Sequence, residues 1–389
     1  MTGCSDNQIF SHPDDQIIRS PAIFQSYNVP AMNIVDSTRS YEKWLATHTH
    51  LIAADISRKH QFMAEALFPF FRATFYRWLQ VWPEVCPDLR QAPAVLGVGD
   101  LHVENFGTWR DAEGRLTWGI NDFDEAARYA YTVDLARLAT SAVLAIDDEG
   151  LALRQRTACE RIEEGYRDSI KAGGQPFVLA EQNRFLRDIA QQQLKDPRKF
   201  WDRMQSWPDA RRGEAPKEVI AILESKMPRP KPPYRVADRQ AGLGSRGHQR
   251  FVAIYHLYGG LVAREAKALV PSAANWCDCR HTPQILYAEI LRQAIRVPDV
   301  TFEIHGSWLL RRLAPDCTKI PLTELPALNE ERLLYCMGWE TANVHLGTRK
   351  MIPEVAKDLK QRKGDWLFNA ARQMAKTARK DWKDWRGRS

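Results

Sequence analysis

A chain of 389 residues with 44% hydrophobic and 26% charged content is long enough to bury a core without disulfide support. Seven Cys at irregular spacings argue for reduced thiols, no apolar run reaches eighteen residues, and the N-terminus lacks a signal-peptide pattern, so a cytoplasmic protein is expected. The net charge of +7 is concentrated at one end: Glu354 to Ser389 holds eleven Lys or Arg against five Asp or Glu, six of the seven net charges, so the body of the chain carries no strong nucleic-acid signal.

In chain order, residues 1–38 are scattered Pro, Ser and Asp and read as an extended arm. From Ser40 to about Val81, Trp44, Leu45, Met63, Leu67, Phe70, Phe71 and Trp78 recur at helical spacing, which predicts two helices. AVLGVGD after Pro93 reads as a strand delivering Asp100 into a loop, RDAEGR as a hairpin turn, and LTWGIND as a return strand delivering Asp122. VDLARLATSAVLAI is an apolar helix with Asp134 near its start, and residues 151–226 read as further helices.

PRPKPPY, residues 228–234, is a linker, followed by strand, Gly-rich turn, strand, GG turn and strand of a small antiparallel sheet. A helix from about Thr282 to Ile295, a strand-like FEIHGSWLLRRL and a helical LNEERLLYCMGWETANVHLGTR follow. In the basic tail Trp366, Ala370, Met374, Ala378, Trp382 and Trp385 share one helical face, which either packs on the domain or touches an anionic surface. WCDCRH clusters Cys277, Cys279 and His281, but not at the spacing of a structural zinc site, and thiols without metal are the expectation.

Chemistry concentrates in GDLHVENFG (99–107) and INDFDEA (120–126). A magnesium-dependent phosphoryl transfer needs one carboxylate for the acceptor hydroxyl, with an amide oxygen and a further carboxylate to hold metal against phosphates. Asn105 and Asp122 suit the metal, Asp124 and Glu125 are each a further ligand or a salt-bridge partner, and His102 suits a hydrogen bond to phosphate or a contact that fixes the loop. Arg72 in FPFFRATF reaches either phosphate or a carboxylate. GLGSRG, with Gly242, Gly244, Ser245 and Gly247, can bring backbone N–H groups to phosphate. Arg264 and Lys267 in LVAREAKAL are the candidate cations; three apart, they face opposite sides of a regular strand.

These loops resemble those of protein-kinase-like phosphotransferases, especially the aminoglycoside and choline kinase branch. The resemblance implies Asp100 as catalytic base, Asn105 as metal ligand, Asp122 as principal metal carboxylate and Asp134 as a brace for the catalytic loop. It also implies a strand cation, favouring Arg264 over Lys267 by register, paired with a helix carboxylate, here Glu289. Val98 stands where such enzymes carry a His that braces the loop. FFRATFYRW, GDLHVENFG, NDFDEA, GLGSRG and REAKALVPS, across residues 40–385, also resemble the bacterial domain of unknown function 2252.

The Gly-rich segment follows the catalytic loop instead of preceding it, and MGWETANVHLGT resembles the helix that normally leads into that loop. The expectation is an α+β, kinase-like two-lobed fold in circularly permuted order. Its parts are an arm (1–38), a helix-rich lobe with the catalytic and metal loops (39–227), an antiparallel-sheet nucleotide lobe (228–325) and returning C-terminal helices (326–389). The expected activity is an ATP- and Mg2+-dependent phosphotransferase on a hydroxyl acceptor; nucleotidyl transfer on the same scaffold and a catalytically silent pseudokinase are the alternatives.

Overall fold

Helical structure begins earlier than the aromatic periodicity predicts. The computed structural model describes residues 32–149, 153–179, 183–210, 215–239, 247–278, 282–320, 322, 325, 327–362 and 364–387. Helix α1 (Ile34–Leu45) starts six residues before Ser40 because the Asn33 side chain accepts from the Asp36 N–H and satisfies its first turn. Four helices replace the expected two: α1, α2 (Ala53–Glu65), α3 (Leu67–Ala73) and α4 (Phe75–Val85). Ala66 and Thr74 leave helical torsions and reset the helical phase. Phe68, Phe70, Phe71, Phe75, Tyr76, Trp78 and Trp82 are therefore all buried, more than one stripe of a straight helix can place inside.

Strand β1 (Ala94–Gly97) pairs antiparallel with β4 (Ala127–Ala130), and β2 (Phe106–Arg110) with β3 (Leu116–Ile120). The β2–β3 turn is the expected hairpin: Asp111 accepts from the N–H groups of Glu113 and Arg115, and Gly114 takes φ +73°. β5 (Phe177–Val178) extends the second pair. The loops leaving β1 and β3 come to lie side by side, tied by the Asn121 N–H to the Asn105 carbonyl at 3.2 Å. β4 runs directly into α5 (Tyr131–Glu149), which is buried along most of its length.

Helix α6 (Gln155–Ala172) crosses α12 (Ala327–His345) at van der Waals range of their backbones. A Cβ on Gly165 would collide with the Tyr335 carbonyl, and one on Gly338 with the Ile162 carbonyl. Gly338→Ala is therefore expected to lower the unfolding free energy by about 1–3 kcal/mol in denaturant titration, because the added methyl must push two backbones apart. A shift under about 0.5 kcal/mol would show that this crossing is not tight.

The sheet after the Pro-rich segment has five antiparallel strands in the order β6 (Tyr234–Asp238), β7 (Arg250–Leu257), β8 (Gly260–Ala268), β10 (Trp308–Leu313), β9 (Glu303–His305). The strand-like FEIHGSWLLRRL is a hairpin turning at Gly306, φ +59°. One face packs Phe251, Ala253, Ala266 and Leu310 on Val219 and Leu223 of α9 (Lys217–Ser225). The other packs Val252, Ile254 and Ala263 on Phe200 and Met204 of α8 (Pro197–Gln205).

Between β8 and β9 lie α10 (Ala273–Cys277) and α11 (Tyr287–Gln293). The helix expected over Thr282 to Ile295 is shorter because Pro283 disfavours a helical Thr282, and the Ile295 N–H bonds the Asn343 carbonyl instead of closing another turn. The basic tail forms α14 (Trp366–Arg386) and spends its apolar stripe internally. Leu367, Ala370, Met374 and Trp385 are buried, and Arg77 pairs with Asp381 at 2.8 Å. No described helix is long and apolar enough to cross a membrane.

Candidate active site

The loop after β1 is held from beneath by Asp134, in the first turn of α5. Its buried carboxylate accepts from the N–H groups of Val98 (2.6 Å) and Gly99 (2.8 Å). Gly99 is required here: its φ is +86°, and a Cβ would strike the Glu125 carbonyl. The third contact to Asp134 is His345 Nε2 at 2.8 Å, from the last residue of α12, with its Nδ1 on the Tyr166 hydroxyl at 2.9 Å. A histidine thus stands at the brace although position 98 is Val. The signal for it was the His closing MGWETANVHLGT, a segment already read as belonging beside the loop.

Asp100 projects from this loop onto Arg137 of α5, at 2.6 and 3.1 Å to Oδ1. Arg137 is 0% exposed, lies 3.5 Å over the Phe71 ring and donates to the Phe71 carbonyl. Burial raises the Asp100 carboxyl above its ordinary range, and the ion pair with Arg137 only partly opposes this. His102 accepts the Glu104 N–H at Nδ1 (3.2 Å), which leaves the proton on Nε2. Burial, reinforced by the charge of Arg72, keeps this ring neutral. Asn105 spends its Nδ2 on the carbonyls of Asp122 (3.0 Å) and Asp100 (3.4 Å); among the described residues nothing donates to its Oδ1.

The second loop meets the five-stranded sheet. Lys267, 0% exposed, reaches both Asp122 oxygens at 3.3 Å and also pairs with Asp124. Burial pushes the Asp122 carboxyl up, yet Lys267 and then Arg311 pull it below its ordinary range. Asp124 is raised, by burial and by the adjacent Asp122. Its Oδ1 is buried with no hydrogen-bond partner among the described residues.

Glu125 makes no salt bridge among the described residues: its carboxylate accepts from Ser272 Oγ (2.9 Å) and the Ala273 N–H (2.7 Å), and burial pushes it up to about 7. Arg72 takes the carboxylate option, Glu104, at 2.5 Å.

Two expectations are corrected. Arg264, favoured by register, lies on the sheet face covered by α9, because its neighbours Ala253 and Ala266 pack there; Lys267 shares the opposite face with Glu265 and Arg250. Glu289 is not the partner of the strand cation. It accepts from Gln293 and stands 3.8 Å from Arg128, while Lys267 takes its carboxylates from the loop after β3. Gly242, Gly244 and Ser245 lie outside the described residues, as do Cys279 and His281. Gly247 is described, with φ +100° and its carbonyl accepting from the Ile52 N–H. Arg250, three residues after Gly247, opens β7 and pairs in register with Lys267.

A feature unforeseen from the sequence is a buried Glu265 accepting from Arg239 (2.6 Å), Arg311 (2.6 Å) and Arg250 (3.5 Å). Despite burial, these three guanidiniums hold its carboxyl well below the ordinary range. Three cations on one anion leave net positive charge along a cleft of about 630 Å³, enough for a nucleotide. Asp100, His102, Asn105, Asp122 and Asp124 line the same cleft, and Phe200, Met204, Trp207 and Leu313 give it an apolar end.

Behind β3, Glu340 is buried and accepts from the Ile120 N–H (3.3 Å) and Asn343 Nδ2 (2.8 Å). Burial pushes its carboxyl up to about 7 from an ordinary 4.5. A folded-state value above the unfolded one means stability is full below about pH 4.5 and is lost as pH rises toward 7. Glu340→Gln, which mimics the protonated form, is expected to gain on the parent by up to about 3 kcal/mol in unfolding measurements between pH 5 and pH 8. A difference independent of pH would refute the shift.

Among the described residues no group of three His, Cys, Asp or Glu is placed to hold a metal by itself. No curated protein and no solved structure matches the chain. The model of a family described as an uncharacterized protein conserved in bacteria, domain of unknown function 2252, matches residues 51–222, the span that carries both acidic loops and Asp134.

Proposed function

We propose that the protein is an ATP- and magnesium-dependent phosphotransferase acting on a hydroxyl acceptor, on a circularly permuted kinase-like scaffold. The observation that carries this reading is that Asp100, Asp122 and Asp124 line one cleft while buried Lys267, from a remote strand, meets both Asp122 and Asp124 from behind. The donor set fits magnesium: Asn105 Oδ1, the Asp122 carboxylate and Asp124 Oδ1, which has no partner among the described residues, are hard oxygens, too few for a closed protein cage and sufficient beside phosphates and water. Bound there, the ion would neutralise charge on the transferring phosphoryl group.

The chain's own residues supply the rest. Asp100, oriented through Oδ1 by Arg137, presents Oδ2 to the acceptor hydroxyl and takes its proton as the oxygen bonds to the terminal phosphorus and the bond to the nucleoside diphosphate breaks. A carboxyl raised by burial is a better base than one in water. His102 offers a neutral Nε2–H to a phosphoryl oxygen, and Lys267 with the arginines around Glu265 offers fixed positive charge to the remaining phosphates.

Calorimetric titration of ATP with and without magnesium tests the site. Asp122→Ala is expected to weaken magnesium-dependent binding by at least about tenfold, the loss of roughly 1.4 kcal/mol that one ligand carboxylate is worth; undiminished binding would remove the loop from the metal site. Products formed from ATP labelled in the terminal phosphate decide the reaction type. Label on the acceptor supports a kinase, and transfer of the nucleoside monophosphate makes the protein a nucleotidyl transferase.

A further inference from the structure

Resting on that reading, we propose that the hydroxyl acceptor is itself an anion, a compound bearing its own phosphate group, seated beside Asp100 on Arg72 and Lys319. These two side chains reach the wall from opposite directions. Arg72 comes from α3, and Lys319 from the irregular segment that leaves β10 and bridges back to Gly107 of β2. Both converge on one carboxylate, Glu104, at 2.5 and 3.9 Å.

Two cations sharing one anion leave an excess positive charge, and Arg72 Nε is buried with no hydrogen-bond partner among the described residues. Glu104 is 36% exposed, so it can swing to water and release both cations to a ligand. A phosphomonoester, with charge near −2 and three acceptor oxygens, matches two cations and the free Nε–H better than a lone carboxylate does. The crowding is visible in Lys319, pushed down to about 8 by burial and by the Arg72 charge. Arg72 also bears on Asp100, which places the wall within electrostatic reach of the base.

Among the described residues, the carboxylates of the two acidic loops that flank Asp100 are already engaged. Asp100 is engaged by Arg137, Asp122 and Asp124 by Lys267, and Glu125 by Ser272 and Ala273. A cationic acceptor would meet like charge at Arg72 and Lys319.

The test is titration of inorganic phosphate into the full chain saturated with magnesium and a non-hydrolysable ATP analogue, which blocks the nucleotide phosphate site. Phosphate is expected to bind, and Arg72→Gln and Lys319→Gln each to weaken it at least tenfold. Equal phosphate binding in both variants, or no phosphate binding once the analogue is bound, overturns the proposal. Failure of the analogue itself to bind counts against the phosphotransferase reading instead; phosphate titrated alone against the same two variants then decides the anion site. Magnesium-dependent ATP turnover stimulated by an amine acceptor, and not by its phosphorylated hydroxyl counterparts, would also overturn it.

Discussion

Asp100→Asn is expected to lower phosphoryl transfer by about 10³-fold, within the range a positioned general base contributes. The substitution keeps the shape of the side chain and leaves an amide oxygen for Arg137, so the loop keeps its course while losing the carboxylate proposed to accept the proton. It also removes the charge opposite a fully buried guanidinium, so folding stability falls together with activity. Circular dichroism and nucleotide titration on the same preparation separate the two effects: a folded, ATP-binding variant without turnover supports the assignment. Turnover retained in that variant would remove Asp100 from the chemistry.

Asp134→Ala carries the largest expected loss of stability, about 3–5 kcal/mol. Three donors depend on this one buried carboxylate: the N–H groups of Val98 and Gly99, and His345. Truncation strands all three where water cannot replace the acceptor. Asp134→Asn restores size and one acceptor oxygen, and is expected to recover part of the loss. Equilibrium unfolding of the two variants gives the comparison, and a cost under about 1 kcal/mol for Ala would mean that the loop is held by other contacts.

Much of the site was legible because it is local. The strands around GDLHVENFG and INDFDEA are short apolar runs with turn residues at their ends, and Asp134 opens an apolar helix whose start is unmistakable. Parity along β8 correctly separated Arg264 from Lys267, but parity does not say which face looks inward. That depends on α9, whose Val219 and Leu223 claim the Arg264 side of the sheet. The arginines around Glu265 were illegible for a related reason: Arg239, Arg250, Glu265 and Arg311 lie at the end of one strand and on three others, and share a neighbourhood only through strand pairing. Glu289 was misassigned because α11 is a short helix whose glutamate meets Arg128, a partner on β4 that no helix-to-strand spacing reveals.

The reach of His345 back to Asp134 also sets an order of events during synthesis. The acidic motif is translated early, whereas the histidine that completes its brace comes 211 residues after Asp134. At about 5–20 residues per second the loop waits some 10–40 s on the ribosome for its last partner. A polypeptide released before α12 would carry the whole motif and the Asp134 bonds to Val98 and Gly99, but not the histidine contact on the same carboxylate.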